Sequence, residues 1–72
     1  DPGNAGWQRD LSVSHDKIGR QLEKQGNLRE ALVHYRADLA IAERLAASDR
    51  SNAGWQKDVE ISRQRMQRLE GN

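Results

Sequence analysis

At 72 residues the chain has room for one small domain, and a chain this short hides a smaller share of its surface than a larger one, so its core is thin. Twelve basic side chains stand against eleven acidic ones, a net charge of +1, far from the positive bias that phosphate backbones select, which argues against a nucleic-acid partner. Cysteine is absent, which excludes disulfide staples, thiolate metal sites and cysteine nucleophiles.

No apolar run approaches the eighteen or so residues that a membrane helix needs, and no basic start is followed by an apolar stretch and a cleavage site. No membrane partner is expected, and cytoplasmic placement is the default reading. The sequence opens at Asp1 without methionine, which reads as excision from a longer protein or as processing.

The first helix is expected over about residues 5–25. Trp7, Leu11, Ile18 and Leu22 recur at steps of four, seven and four, with Ser14 or His15 in the gap, and so define one apolar stripe. Gly26 ends this helix, since glycine best tolerates the left-handed conformation just past a helix terminus. Asn27 is placed to cap the next helix, and Glu30, three residues on, to reach back as in a capping box. Helices joined by so tight a turn run antiparallel, giving a helical hairpin.

The second helix is expected over about 28–46. Leu28, Leu32, Tyr35, Leu39, Ala42 and Ala46 alternate steps of four and three, and a smaller row of Ala31, Ala40 and Ala47 beside Ile41 and Leu45 widens the apolar face. Ala47 to Asn52 has turn chemistry, and Asn52, like Asn4, is placed to cap the helix beginning at the following Ala-Gly-Trp. The third helix follows over about 53–69 with Trp55, Val59, Ser62, Met66 and Leu69 on its stripe, and Gly71-Asn72 is expected to fray.

The chain repeats internally. Asp1 to Asp10 returns as Asp49 to Asp58 at an offset of 48 residues, with seven of ten positions identical and Arg9 answered by Lys57. Beyond that block Leu11 is matched by Val59, Val13 by Ile61, Ser14 by Ser62, Lys17 by Arg65, Ile18 by Met66 and Arg20 by Arg68. Residues 1–48 read as one repeat and 49–72 as a truncated second. In the second copy Gly19 becomes Gln67, Ser12 becomes Glu60 and Leu22 becomes Glu70, all polar changes, as expected of a capping helix with nothing stacked on that side.

A helix closed by glycine, a two-residue turn and a second helix carrying Ala-x3-aromatic resembles the tetratricopeptide motif, W-x2-L-G-x2-Y followed by A-x3-F and P. Ile18-Gly19 with Leu22 resembles its Leu-Gly with Tyr, Gly26-Asn27-Leu28 its turn, and Ala31 with Tyr35 its alanine and aromatic. His15 stands at the tryptophan position, Asp38 where a small residue is usual, and Glu43 at the proline. The period of 48 instead of 34 makes this a long-repeat variant, with HEAT-type repeats as the competing assignment. The resemblance implies an all-α fold, an α-solenoid fragment made of one hairpin plus a capping helix. It also implies a non-catalytic scaffold that binds a partner protein or peptide, with no cofactor. In that fold Gly19 and Ala31 let the helices approach, and Leu22 and Tyr35 fill the space beside them.

Carried over position by position, the resemblance places Asp16, Arg20, Glu23 and Lys24 of the first helix and Gln64 and Arg68 of the third on an inner groove, with Lys17 and Arg65 beside them. A mixed but locally basic groove of this kind suits an acidic peptide or a free carboxylate; the alternative is a solvated helix face. Trp7 and Trp55 recur at one place in each unit, which favours core packing over exposed recognition. His15 and His34 lie on different helices without cysteine or carboxylate at a metal-defining spacing, so His15 reads as a packing residue and His34 as solvated. Ser12, Ser14 and Ser48 sit in no nucleophile elbow, and Gly3 and Gly6 lack the lysine and preceding strand of a phosphate loop. A second functional class is a structural element that self-associates through an apolar flank around Val13 and the alanine row, giving a homo-oligomer by repeat stacking.

Overall fold

The computed structural model describes residues 5–71, and Asn4, Gly3 and Asn72, on which a cap, a turn and a frayed end were expected, lie outside them. The described chain is all helical: α1 spans Ala5–Lys24, α2 Leu28–Ser48 and α3 Ala53–Glu70.

The α1–α2 turn follows from Gly26. Its φ of +82° is the left-handed conformation that a side chain disfavours. It lets the Asn27 amide bond the Leu22 carbonyl at 2.9 Å and the Gly26 amide bond the Glu23 carbonyl at 3.0 Å, the paired bonds of a Schellman termination. The capping box is not formed, because the Asn27 side chain makes no cap bond; its backbone carbonyl, accepting from the Ala31 amide at 3.0 Å, starts α2. At the second junction the Asp49 carboxylate accepts from the Ser51 amide at 3.1 Å and from its hydroxyl at 2.6 Å, folding the linker back. Asn52 caps α3 as expected, its Oδ1 accepting from the Trp55 amide at 3.1 Å.

The middle helix carries the core. Ala31 and Tyr35 of α2 meet Met66 and Leu69 of α3, with Leu22, Leu32 and Leu39 packed around them, while Ile41, Ala42, Leu45 and Ala46 extend the buried side of α2. The alanine row is split: Ala31 is buried, Ala40 and Ala47 exposed, and Leu28 also faces water.

α1 is rotated from the expected orientation. Trp7, at 62% exposure, Leu11 and Ile18 lie on the surface, so the core role expected of Trp7 is corrected, whereas Trp55 is half-buried beside Ala42 and Leu45. The side of α1 turned to α2 carries Ser12, His15, Gly19 and Leu22. The cause is Gly19. It is buried against the Tyr35 ring, so closely that a Cβ built there would stand 2.5 Å from Tyr35 Cε1. Close approach at that point, together with polar bonds on either side of it, sets the helix angle in place of the apolar stripe.

Candidate functional site

α1 and α3 both lie on α2 yet stay more than 8 Å apart from Cα to Cα. Between them runs a groove with a cavity of about 260 Å³, lined on α1 by Arg9, Ser12, Val13, Asp16 and Arg20, on α3 by Asp58, Ile61, Ser62 and Arg65, and floored by Asp38 of α2.

The floor is polar and buried. Asp38 is only 6% exposed, and its Oδ1 accepts the hydroxyl of Ser12. Burial pushes its carboxyl above the ordinary aspartate range, with the neighbouring Asp16 charge adding to the rise, while the Ser12 bond and the Arg65 guanidinium pull the other way. Arg65 reaches inward from α3: it donates to Asp16, stands 3.9 Å from Asp38 Oδ2, and lies 4.9 Å above the centre of the Tyr35 ring. The Tyr35 hydroxyl in turn donates to Glu23 Oε1 at 2.9 Å. Burial, followed by that bond to an acceptor carboxylate, pushes the phenol up to about 12.

Of the residues expected on the groove, Asp16, Arg20, Glu23, Arg65 and Arg68 are brought together. Arg65 pairs with Asp16 and Arg68 Nη1 is 3.4 Å from Glu23 Oε2, so two acidic residues of α1 fasten α3 across the gap, while Arg20 Nε stands 3.1 Å from the same Asp16 one turn along α1. Lys17, Lys24 and Gln64 are exposed and stand outside this network; Lys24 occupies the last turn of α1, where a cation complements the helix dipole. The lining of the groove carries both signs in equal number. Arg9, Arg20 and Arg65 are set against Asp16, Asp38 and Asp58, and Arg20 and Arg65 are already held by carboxylates.

Sequence reasoning noted Asp38 as a departure from the motif and passed over its role. The signal was present: Asp38 falls between Tyr35 and Ala42 on the inner stripe of α2, where a charge must find partners. His15 packs against α2 as expected, whereas the solvated setting expected of His34 is corrected. His15 and His34 meet with their Nδ1 atoms 3.0 Å apart, one donating and the other accepting, and both are partly buried. Among the described residues no three His, Asp or Glu side chains gather in a way that could hold a metal ion.

No family model matches the chain, and comparison with curated proteins and with solved structures finds no match.

Proposed function

We propose that the chain is a non-catalytic protein-interaction unit, an α-solenoid fragment of tetratricopeptide-like design, that offers the α1–α3 groove to a partner peptide or protein. The observation that carries this reading is the groove itself: two helices held apart over a buried polar floor, with the charged side chains of Arg9, Arg20 and Asp58 exposed along it. A peptide lying along it meets both signs of charge. Its carboxylates bond Arg9 or the open side of Arg20, and its basic groups bond Asp58.

The test is a selection of displayed random peptides on the full chain, followed by calorimetry on the enriched sequences. Groove binding is expected to weaken about tenfold between 50 and 500 mM salt and in the Arg20→Ala, Arg68→Ala double variant. Binders indifferent to both changes, or no binders at all, remove the groove reading. The structural alternative, self-association through an apolar flank, draws on the exposed Trp7, Leu11 and Ile18.

A further inference from the structure

The 48-residue register lets α1 and α3 be compared side chain by side chain. α3 rests on α2 through Trp55, Val59, Ser62, Met66 and Leu69, all half-buried or buried. Their counterparts in α1 are Trp7, Leu11, Ser14, Ile18 and Gln21, and every one of them is exposed. The contrast is sharp at single positions: Ile18 is 45% exposed against 9% for Met66, and Ser14 lies on the surface where Ser62 is 7% exposed. The reverse holds on the other side. Ser12, His15, Gly19 and Leu22 turn to α2, while their α3 counterparts Glu60, Arg63, Gln67 and Glu70 face water. At 3.6 residues per turn the two sides of α1 lie about a quarter-turn apart. α1 thus has two helix-contact faces, of which one is filled, and α3 has one, which is filled.

We infer that the stripe Trp7–Leu11–Ser14–Ile18 is a docking surface for one further helix of the α2 type, presented by another 48-residue unit of this sequence. The seated copy defines the occupant. α3 lays the equivalent stripe on a helix face in which small Ala31, Ala42 and Ala46 leave room and Tyr35 and Leu45 supply bulk. At its edge Gln56 Nε2 bonds the Ala46 carbonyl at 3.0 Å, and α1 carries the same residue, Gln8, at that place in its register. The stripe lies on the flank of α1 away from Arg9, Asp16 and Arg20, so this inference stands apart from the groove reading. It also moves the expected stacking flank from Val13, which lines the groove, to Trp7. Stacking of this kind buries apolar surface that a lone unit leaves in water.

The experiment is a tandem chain with residues 1–48 joined directly ahead of the full 72, so that Asp1–Asn4 of the second unit follows an α2 as Asp49–Asn52 does. The tandem is expected to melt in one transition above that of the single chain. With every other tryptophan replaced by phenylalanine, acrylamide quenching of the middle Trp7 falls at least twofold relative to Trp7 in the single chain carrying Trp55→Phe. Leu11→Lys with Ile18→Lys in the middle unit abolishes both effects, and circular dichroism of the same pair in the single chain shows the hairpin intact. A tandem that melts at the single-chain temperature with Trp7 still quenched overturns the inference. So does a single chain that dimerises with Trp7 protected, which assigns the stripe to self-pairing. Loss of peptide binding by groove variants leaves all of these readouts unmoved.

Discussion

Replacing Gly19 by alanine tests the contact that orients α1. In an open helix interior this change stabilises by about 1 kcal/mol, because alanine is the better helix former. Here the added methyl carbon would lie 2.5, 2.8 and 3.0 Å from Tyr35 Cε1, Cδ1 and Cζ, against an optimal carbon–carbon separation of roughly 3.5–4.0 Å. The ring has nowhere to go. It is 1% exposed, its hydroxyl is bonded to Glu23 and its face lies under Arg65, so relief means moving the helix or giving up those bonds. Overpacking of this kind costs about 1–3 kcal/mol, which exceeds the propensity gain at most of its range and leaves a net loss of about 1 kcal/mol. In a chain of this size that lowers Tm by roughly 4–8 °C. Thermal melts followed by far-ultraviolet circular dichroism measure it. Gly6→Ala, with nothing within 4 Å of the new atom, serves as the control. In a Tyr35→Leu background, where ring atoms Cε1 and Cζ are gone, Gly19→Ala becomes neutral or stabilising. The two changes then show a coupling of about 1 kcal/mol. A rise in Tm for Gly19→Ala with Tyr35 in place would refute the close approach and with it the rotation of α1.

Asp38→Asn keeps an acceptor for Ser12 and removes a buried charge, so it is expected to raise Tm by a few degrees at pH 7. Because the folded state raises the carboxyl's pKa, the charge penalty is present above that pKa and fades as pH falls, so the gain from asparagine shrinks on acidification; melts from pH 7 to 4 follow it. Tyr35 is the one tyrosine of the chain, so absorbance at 295 nm reports it alone, with a midpoint displaced from 10 towards 12. A phenol held protonated by folding contributes stability that is complete below pH 10 and lost between pH 10 and 12, worth about 2–3 kcal/mol for two pKa units, and Tyr35→Phe removes that pH dependence. Trp7→Ala shifts stability by about 0.5 kcal/mol or less, and Trp55→Ala costs about 2 kcal/mol or more, both by urea unfolding; equal costs would contradict the different settings of the two indoles.

The helices and turns could be read from the sequence because their causes are local. Gly26 supplies a backbone conformation, Asn52 an acceptor, and the Leu/Tyr/Ala spacing of α2 a side that is buried or half-buried from Ala31 onward. The face of α1 could not be read in this way. Apolar spacing picks the side that gains most by leaving water, Trp7, Leu11 and Ile18, but the helix is turned by a glycine fitted to a ring sixteen positions away and by bonds from Ser12 and His15. The groove was legible as a set of positions and illegible as a charge pattern. Ser12 finds Asp38 across 26 residues and Asp16 finds Arg65 across 49, so which cations remain free is decided by partners that spacing along one helix does not reveal.

Asp16 and Glu23 do more than balance charge. With the backbones of α1 and α3 standing apart, the clasps to Arg65 and Arg68 join the two rims above their shared seat on α2. The aperture between them is set by the packing of both helices on α2, and these ion pairs close it from the open side. The outer Glu23–Arg68 clasp is open to water and the inner Asp16–Arg65 clasp is largely shielded from it, so added salt weakens the outer one first. On the proposed reading, binding in such a cleft would be an exchange of partners among ions already present, with ionic strength setting how readily the exchange begins.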